Sequence, residues 1–246
     1  MQNQVINREI SYWQFKEEPL MYNEKKIGRI TGVLYLIVIC CAGFAQGVAR
    51  ETVFIADDAI ATANNILANS ALFKWGLVTD LIAFSTDIAI SVLLYMLLKS
   101  VNKPLALIMA CFRLIAHPGV ATANLLNHAA ALNVLESDGL ASQFSQIQLS
   151  ELSLFFMEAH HLGYILAGVA FGIHCFLVGY LLMKSVHFPT VLGILMIGAS
   201  FGYLIESFGF ILYPEHKVIF GWVVGLSAAL GEVTLCIWLM IKGRKV

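Results

Sequence analysis

Charge is scarce in this chain of 246 residues. Asp, Glu, Lys and Arg make up 13% of it, about half of the roughly 25% found in soluble domains. Apolar types reach 59%, well beyond the roughly 45–50% that a water-soluble core needs. This balance excludes a soluble domain, a disordered chain and a coiled coil. Neither sign of charge dominates, with a net charge of −1, so nothing points to a nucleic-acid partner. Cysteine is sparse and odd in number: Cys40, Cys41, Cys111, Cys175 and Cys236 all fall in apolar runs, and none forms C-x-x-C. That set excludes a disulfide framework and a zinc ribbon. There is no glycine-rich phosphate loop, no nucleophile elbow and no alternating pattern of barrel strands.

What is present is long apolar runs. Six stretches qualify as spans: Ile30 to Val48, Leu72 to Leu98, Leu105 to Leu135, Leu152 to Met183, Val191 to Tyr213 and Val218 to Ile241. A bilayer core needs about 20 mostly apolar residues per helix. The fold class that follows is all-α, a polytopic membrane helix bundle of about six transmembrane helices. Residues 1–26 read as a cytoplasmic N-terminal tail and residues 27–243 as the six-helix transmembrane domain. The third and fourth stretches are long enough to outrun a core of about 30 Å, so they must tilt, kink or project. Pro104 and Pro189 sit at the first turns of helices three and five, and Pro214 closes helix five. The longer connection between helices one and two holds a short helix from Asp58 to Ala68. Tyr12, Trp13 and Phe15 fit an interfacial position or a disordered tail equally.

Lys and Arg set the orientation. Eleven lie on one side: Arg8, Lys16, Lys25, Lys26, Arg29, Lys99, Lys103, Lys184, Lys242, Arg244 and Lys245. The other side carries Arg50, Lys74 and Lys217, and Arg113 falls inside a span. Both termini are therefore expected in the cytoplasm. No small-residue cleavage site follows the first span, so it reads as a retained anchor rather than a signal peptide.

Two helix ends echo each other. Helix two ends Tyr95-Met-Leu-Leu-Lys99-Ser-Val-Asn-Lys-Pro104, and helix four ends Tyr180-Leu-Leu-Met-Lys184-Ser-Val-His-Phe-Pro189, with the two lysines 85 positions apart. Helix six ends similarly, with Trp238 four positions before Lys242. Interfacial anchoring explains an aromatic residue and a lysine at such a boundary; a duplicated hairpin explains it as well.

Several of these segments belong to a recognisable set. They are Arg29-x-x-Gly-Val-Leu-Tyr-Leu36, Ala61-Thr-Ala-Asn-Asn-Ile-Leu-Ala-Asn69, Leu94 to Arg113 with its Lys-Ser-Val-Asn-Lys-Pro turn, Gly179-Tyr-Leu-Leu-Met-Lys-Ser185 with Pro189 and Gly193, Gly202-Tyr-Leu204, and Gly231-Glu232 through Trp238 to Lys242-Gly243. Together they resemble the bacterial membrane-protein family of unknown function (DUF) numbered forty-three eighty-six, over roughly residues 27 to 243. The resemblance implies a multipass protein of the bacterial cytoplasmic (inner) membrane with about six helices. It brings no activity with it.

Function must then be sought among polar groups inside the spans. Five acids lie there, Asp80, Asp87, Glu158, Glu206 and Glu232, with Arg113 as their base. A charge at the bilayer centre costs about 2.5–3.5 kcal/mol, so five unpaired carboxylates would cost on the order of 12–18 kcal/mol. They must be paired, protonated, hydrated or ligated. Asp87, Arg113, His117 and Glu232 are the deepest; Asp80, Glu158, His160, His161 and Glu206 lie in the outer half. Asp80 and Asp87, seven apart, share a face of helix two. Arg113, His117, Asn124 and His128 fall within about 60° on helix three. Glu158 and His161 share a side of helix four, where His161 continues a seam through Gly168 and Cys175. On helix five, Glu206 shares a face with Gly198, Gly202 and Gly209, and small residues admit close neighbours. Pro118 frees the carbonyl of Leu114 and should kink helix three beside Arg113 and His117.

The polar intramembrane cluster expected is thus Asp80, Asp87, Arg113, His117, Glu158, His161, Glu206 and Glu232. Three functional classes fit it. The first is interhelical glue in a structural or accessory subunit, with Arg113 paired to Asp87 or Glu158. The second is binding or transport of a small solute or ion through a polar cavity, where a histidine supplies a group that titrates near neutral pH. The third is a membrane metal or haem enzyme, with Glu158, His161 and His117 as the metal candidates. No catalytic residue or cofactor is assigned. The lipid bilayer is the certain partner, and six helices leave room for a homo-oligomer or a partner membrane subunit.

Overall fold

Asn23 starts the first span, because its side chain accepts from the backbone N–H of Lys26 at 3.0 Å. In this computed structural model, residues 23–244 are described; Tyr12, Trp13 and Phe15 and most of the tail assigned to residues 1–26 lie outside them. Six helices among the described residues are long and apolar enough to cross a membrane. They are α1 (Glu24–Val53), α3 (Ser70–Leu98), α4 (Lys103–Glu136), α6 (Gln146–Lys184), α7 (Thr190–Leu212) and α8 (Pro214–Lys242). Two short helices, α2 (Ala59–Ala68) and α5 (Asp138–Ala141), lie in the connections on one side. The fold is an all-α polytopic bundle, and lipid contacts its outer surface. Residues 24–26, read as tail, form the first turn of α1.

Each span packs against its neighbours in sequence, and α8 closes on α1, so the six form a ring in chain order. Glycine sets a tight seam between α6 and α7. A Cβ on Gly179 would sit 2.6 Å from the Gly193 carbonyl oxygen, so the two backbones touch. The ring closes where Gly28 of α1 meets Gly243, which takes φ 70° to end α8. There Arg29 donates to the Ile241 carbonyl at 3.2 Å and Arg244 pairs with Glu24. The starts and ends of the bundle therefore lie on one face. Pro214 follows the C-cap Tyr213 of α7, closing that helix as expected, and also opens α8.

Three spans contain a π-helical stretch: Ala45–Arg50 in α1, Ile115–Ala121 in α4 and Ala229–Val233 in α8. Each inserts an extra residue into the i→i−4 ladder, a device common at functional sites. In α4 the cause is Pro118, which cannot donate and would clash with the preceding turn. The expected kink is thus resolved as a π stretch, and Thr122 Oγ1 donates to the His117 carbonyl at 3.0 Å. α6, with 39 residues, projects beyond a bilayer core of about 30 Å. Its end remote from Arg244, called outer only for that position, forms with α2 and the same ends of α1, α3 and α4 a small apolar cap of Val53, Ile66, Phe73, Leu132 and Met157.

Candidate functional site

Five of the spans place a polar group at one depth. Asp87, Arg113, His174 and Glu232 each lie 10 or 11 residues from the Arg244-side end of their helices, and Tyr35 lies 11 residues from the start of α1. At about 1.5 Å per residue that is about 15 Å, the middle of a bilayer core of about 30 Å. Arg113 is fully buried and is the hub. Its Nε donates to Asp87 Oδ1 at 3.0 Å, and Nη2 donates to the same oxygen. Its Nη1 donates to Tyr35 Oη at 2.8 Å and to His174 Nε2 at 3.2 Å. An arginine can only donate, so His174 Nε2 is an acceptor. His174 Nδ1 lies 2.9 Å from the Met109 carbonyl and therefore carries the proton. This fixes the tautomer. His117 Nδ1 meets the other Asp87 oxygen. The guanidinium also lies 4.7 Å from the Tyr35 ring centroid and 5.2 Å from that of Phe171, favourable cation–π positions.

The sixth span joins through an aromatic. Tyr203 of α7 donates to Glu232 Oε1 of α8 at 2.6 Å, and its ring stands edge-on to Phe171 at 4.9 Å. Phe171 in turn packs on His117 at 4.4 Å. Among the described residues, no buried polar side-chain atom of Asp87, Arg113, Tyr35 or His174 lacks a protein partner. A satisfied charge network of this kind holds helices in register.

A second cluster lies further out: Asp80 is 7 residues, about two helical turns, from Asp87, and Arg50, His128 and His160 are 14 or 15 residues, about four turns, from Tyr35, Arg113 and His174. Arg50 ends the π stretch of α1, where its Nε donates to Gln46 Oε1 at 2.8 Å and its Nη1 to Asp80 Oδ2 at 2.7 Å. His128 of α4 stacks on Phe73 at 3.9 Å, with Nε2 at 3.0 Å from the Phe73 carbonyl. His160 of α6 faces His128 edge-on at 5.5 Å, and its Nδ1 is held by Asn124. Tyr164 carries its ring 6.0 Å from the Arg50 guanidinium. Here four buried polar atoms have no protein partner: Arg50 Nη2, Asp80 Oδ1, His128 Nδ1 and His160 Nε2. They come from four different spans.

The family described as "Domain of unknown function (DUF4386)" matches residues 30–243. The chain belongs to this family. A protein of Archaeoglobus fulgidus described as an "Uncharacterized protein" is 31% identical over 160 residues, which cover 65% of this chain and 78% of that relative. No solved structure matches.

In this DUF4386 member the expected polar cluster divides. Asp87, Arg113 and His117 meet directly, with Asp87 the partner of Arg113, and Glu232 joins them through Tyr203 and Phe171. Asp80 pairs with Arg50 in the outer cluster. Glu158, His161 and Glu206 join neither. Glu158 and His161 are exposed on the helix surface, and His161 packs edge-on against Phe210 at 5.0 Å. The seam reasoning failed there because successive residues on a helix differ by about 100°: His160 turns inward, so His161 turns outward. Glu206 is half-buried, and its glycine face packs on α8, where Gly202 meets Ser227 and Gly209 meets Phe220. The metal candidates Glu158, His161 and His117 do not gather; among the described residues no group of three His, Cys, Asp or Glu side chains is placed to hold a metal ion. His174 has both ring nitrogens engaged and cannot serve as an axial ligand.

Arg50 is the functional residue that the sequence pattern hides best. The apolar run ends at Val48, which sets Arg50 beyond the first span with Lys74 and Lys217. The helix continues to Val53 and buries Arg50 against Asp80. Asp80 supplied the available signal: an outer-half carboxylate facing protein calls for a base at the same depth. Tyr35 and His174 carry no such signal, since a lone tyrosine or histidine on an apolar helix most often serves packing.

Proposed function

We propose that this protein handles a small polar solute, which it binds at the outer cluster of Arg50, Asp80, His128 and His160. The single observation behind the reading is the set of four buried polar atoms without protein partners. Leaving a buried donor or acceptor unsatisfied costs about 1–3 kcal/mol each, so four together call for an occupant. Arg50 Nη2 needs an acceptor, whereas Asp80 Oδ1 and the His128 lone pair need donors. The complementary ligand is a compact molecule carrying both, such as an amide, an amino acid or a polyol. The Arg50 charge disfavours a bare metal ion there. The saturated network around Arg113 fits a different task, the structural glue that keeps six helices at fixed register while the outer site opens or fills.

We further place the protein in the bacterial cytoplasmic membrane with both ends of the chain in the cytoplasm, the residues ahead of α1 lying on that side. With Arg50 removed to the interior, 11 basic residues on one side face only Lys74 and Lys217 on the other, which strengthens the positive-inside argument. The outer cluster then lies in the half of the bundle nearer the outside.

Thermal unfolding of the detergent-purified protein against a panel of small amides, amino acids and polyols tests the site. At least one compound should raise the transition of wild type and leave that of His128→Phe unchanged. If no compound discriminates the two proteins, and proteoliposomes take up none of the panel faster than protein-free vesicles, the reading fails.

A further inference from the structure

The two echoed turns, Lys99-Ser-Val-Asn and, as far as His187, Lys184-Ser-Val-His, both line one cavity. It measures about 530 Å³ and is lined by Ser100 and Asn102 from the first turn, Lys184, Ser185 and Val186 from the second, and Arg244 beyond the end of α8. It lies at the face where both chain ends emerge, more than 15 Å from the network around Arg113 by helix length (about 1.5 Å per residue). Neither polar cluster uses it.

Its donors point one way chemically. Arg244 is buried, and its Nε has no hydrogen-bond partner. One nitrogen of the same guanidinium donates to Ser100 Oγ at 3.2 Å, and another pairs with the Glu24 carboxylate. Ser100 therefore accepts from Arg244 and keeps its own hydroxyl proton to donate. Ser185 is arranged the same way: its Oγ accepts from the His187 backbone N–H at 3.2 Å and its proton is left to donate. Asn102 uses its carbonyl oxygen to cap α4 at Leu105, 3.0 Å away, which leaves its NH₂ as a donor. Lys184 is exposed at the rim, its ammonium 5.8 Å from the Tyr180 ring centroid. The cavity thus offers a guanidinium, an ammonium, two hydroxyls and an amide NH₂, and among the described residues no carboxylate lines it, Glu24 being the partner of Arg244. That is the donor set for a tetrahedral oxyanion.

We propose that the cavity between the two Lys-Ser-Val turns, closed by Arg244, is a binding site for a phosphate group. Each echoed turn contributes one hydroxyl donor, and the guanidinium supplies the fixed charge. The site lies at the level of lipid headgroups on the basic face, where pockets between helices take anionic headgroups; a soluble phosphate ester presents the same group.

The full-length protein in detergent, titrated separately with phosphatidylglycerol and with inorganic phosphate, tests this by native mass spectrometry and by thermal shift. Binding is expected for at least one probe. Lipid alone identifies a headgroup site, phosphate alone a soluble ester site, and mutual competition a shared pocket. Lys184→Gln should weaken binding about tenfold, in line with loss of one charge-assisted contact. Val186→Glu is the cleaner variant, because Val186 is 86% exposed and its replacement disturbs no packing. The new carboxylate at the rim should repel the anion and weaken binding by at least as much, with the unliganded transition temperature unchanged. The proposal is overturned if neither probe binds, or if binding of both is the same in wild type and Val186→Glu.

Discussion

Removing the charge of Asp87 should destabilise the bundle by several kcal/mol, as a buried pair broken from one side does. The side chain is fully buried, and it accepts two bonds from Arg113 and one contact from His117. In Asp87→Asn the Arg113 guanidinium keeps its charge but loses its counter-ion. Breaking a buried pair from one side costs about 3–5 kcal/mol. Arg113→Met leaves the Asp87 carboxylate with His117 alone and also strips partners from Tyr35 and His174, so its cost should be at least as large. The double variant Asp87→Asn/Arg113→Met holds no uncompensated charge. Its cost should fall short of the sum of the two single costs by about 2–3 kcal/mol, the coupling expected of contacting charges. Denaturant titration in detergent micelles, followed by the fluorescence of the four tryptophans, measures all three. If the two substitutions add to within about 0.5 kcal/mol, as independent sites do, the pair is not the hub of the network and the reasoning is wrong.

Other outcomes follow from the same geometry. Tyr203→Phe removes the hydroxyl bonded to Glu232 at 2.6 Å and should cost about 1–3 kcal/mol by the same titration; Glu206→Gln, outside both clusters, should cost less than about 0.5 kcal/mol. Gly193→Val drives a side chain into the Gly179 carbonyl and should abolish a monodisperse peak on size exclusion, whereas Gly198→Ala, with nothing near its Cβ direction, should elute as wild type. Orientation is checked by cysteine labelling in whole cells. Gln143→Cys, in the connection before α6, should react with a membrane-impermeant maleimide in intact cells, and Val186→Cys only after permeabilisation; the reverse pattern would invert the topology.

Apolar run length made the six spans legible, and helical spacing paired Asp80 with Asp87 on one face of α3. The Arg113–Asp87 contact was also within reach, because a deep base demands a deep acid. The split into two clusters was legible in part, as a difference of depth: Arg113 and His128 share a face of α4 but lie 15 residues, about 22 Å, apart along it and so belong to different clusters. Less legible were the exact facings, because the extra residue of a π stretch makes angles counted at about 100° per residue drift. Pro118 announced the π stretch in α4. Nothing in Ala45–Arg50 or Ala229–Val233 announced the other two, because neither contains a proline. The choice of His161 over His160 failed for want of a packing direction, which a uniformly apolar helix does not reveal.

Because the helices follow one another around the ring in chain order, and Arg244 meets Glu24 where the ring closes, the architecture has no privileged first helix. Residues 23 and 244 could be joined by a short linker and the chain reopened between α5 and α6 with every interhelical seam kept, as adjacent termini permit in circular permutation. Such a permutant would begin and end on the opposite side of the membrane. It would have to thread its first helix the other way to reach the same bundle, separating how the protein is inserted from what it finally becomes.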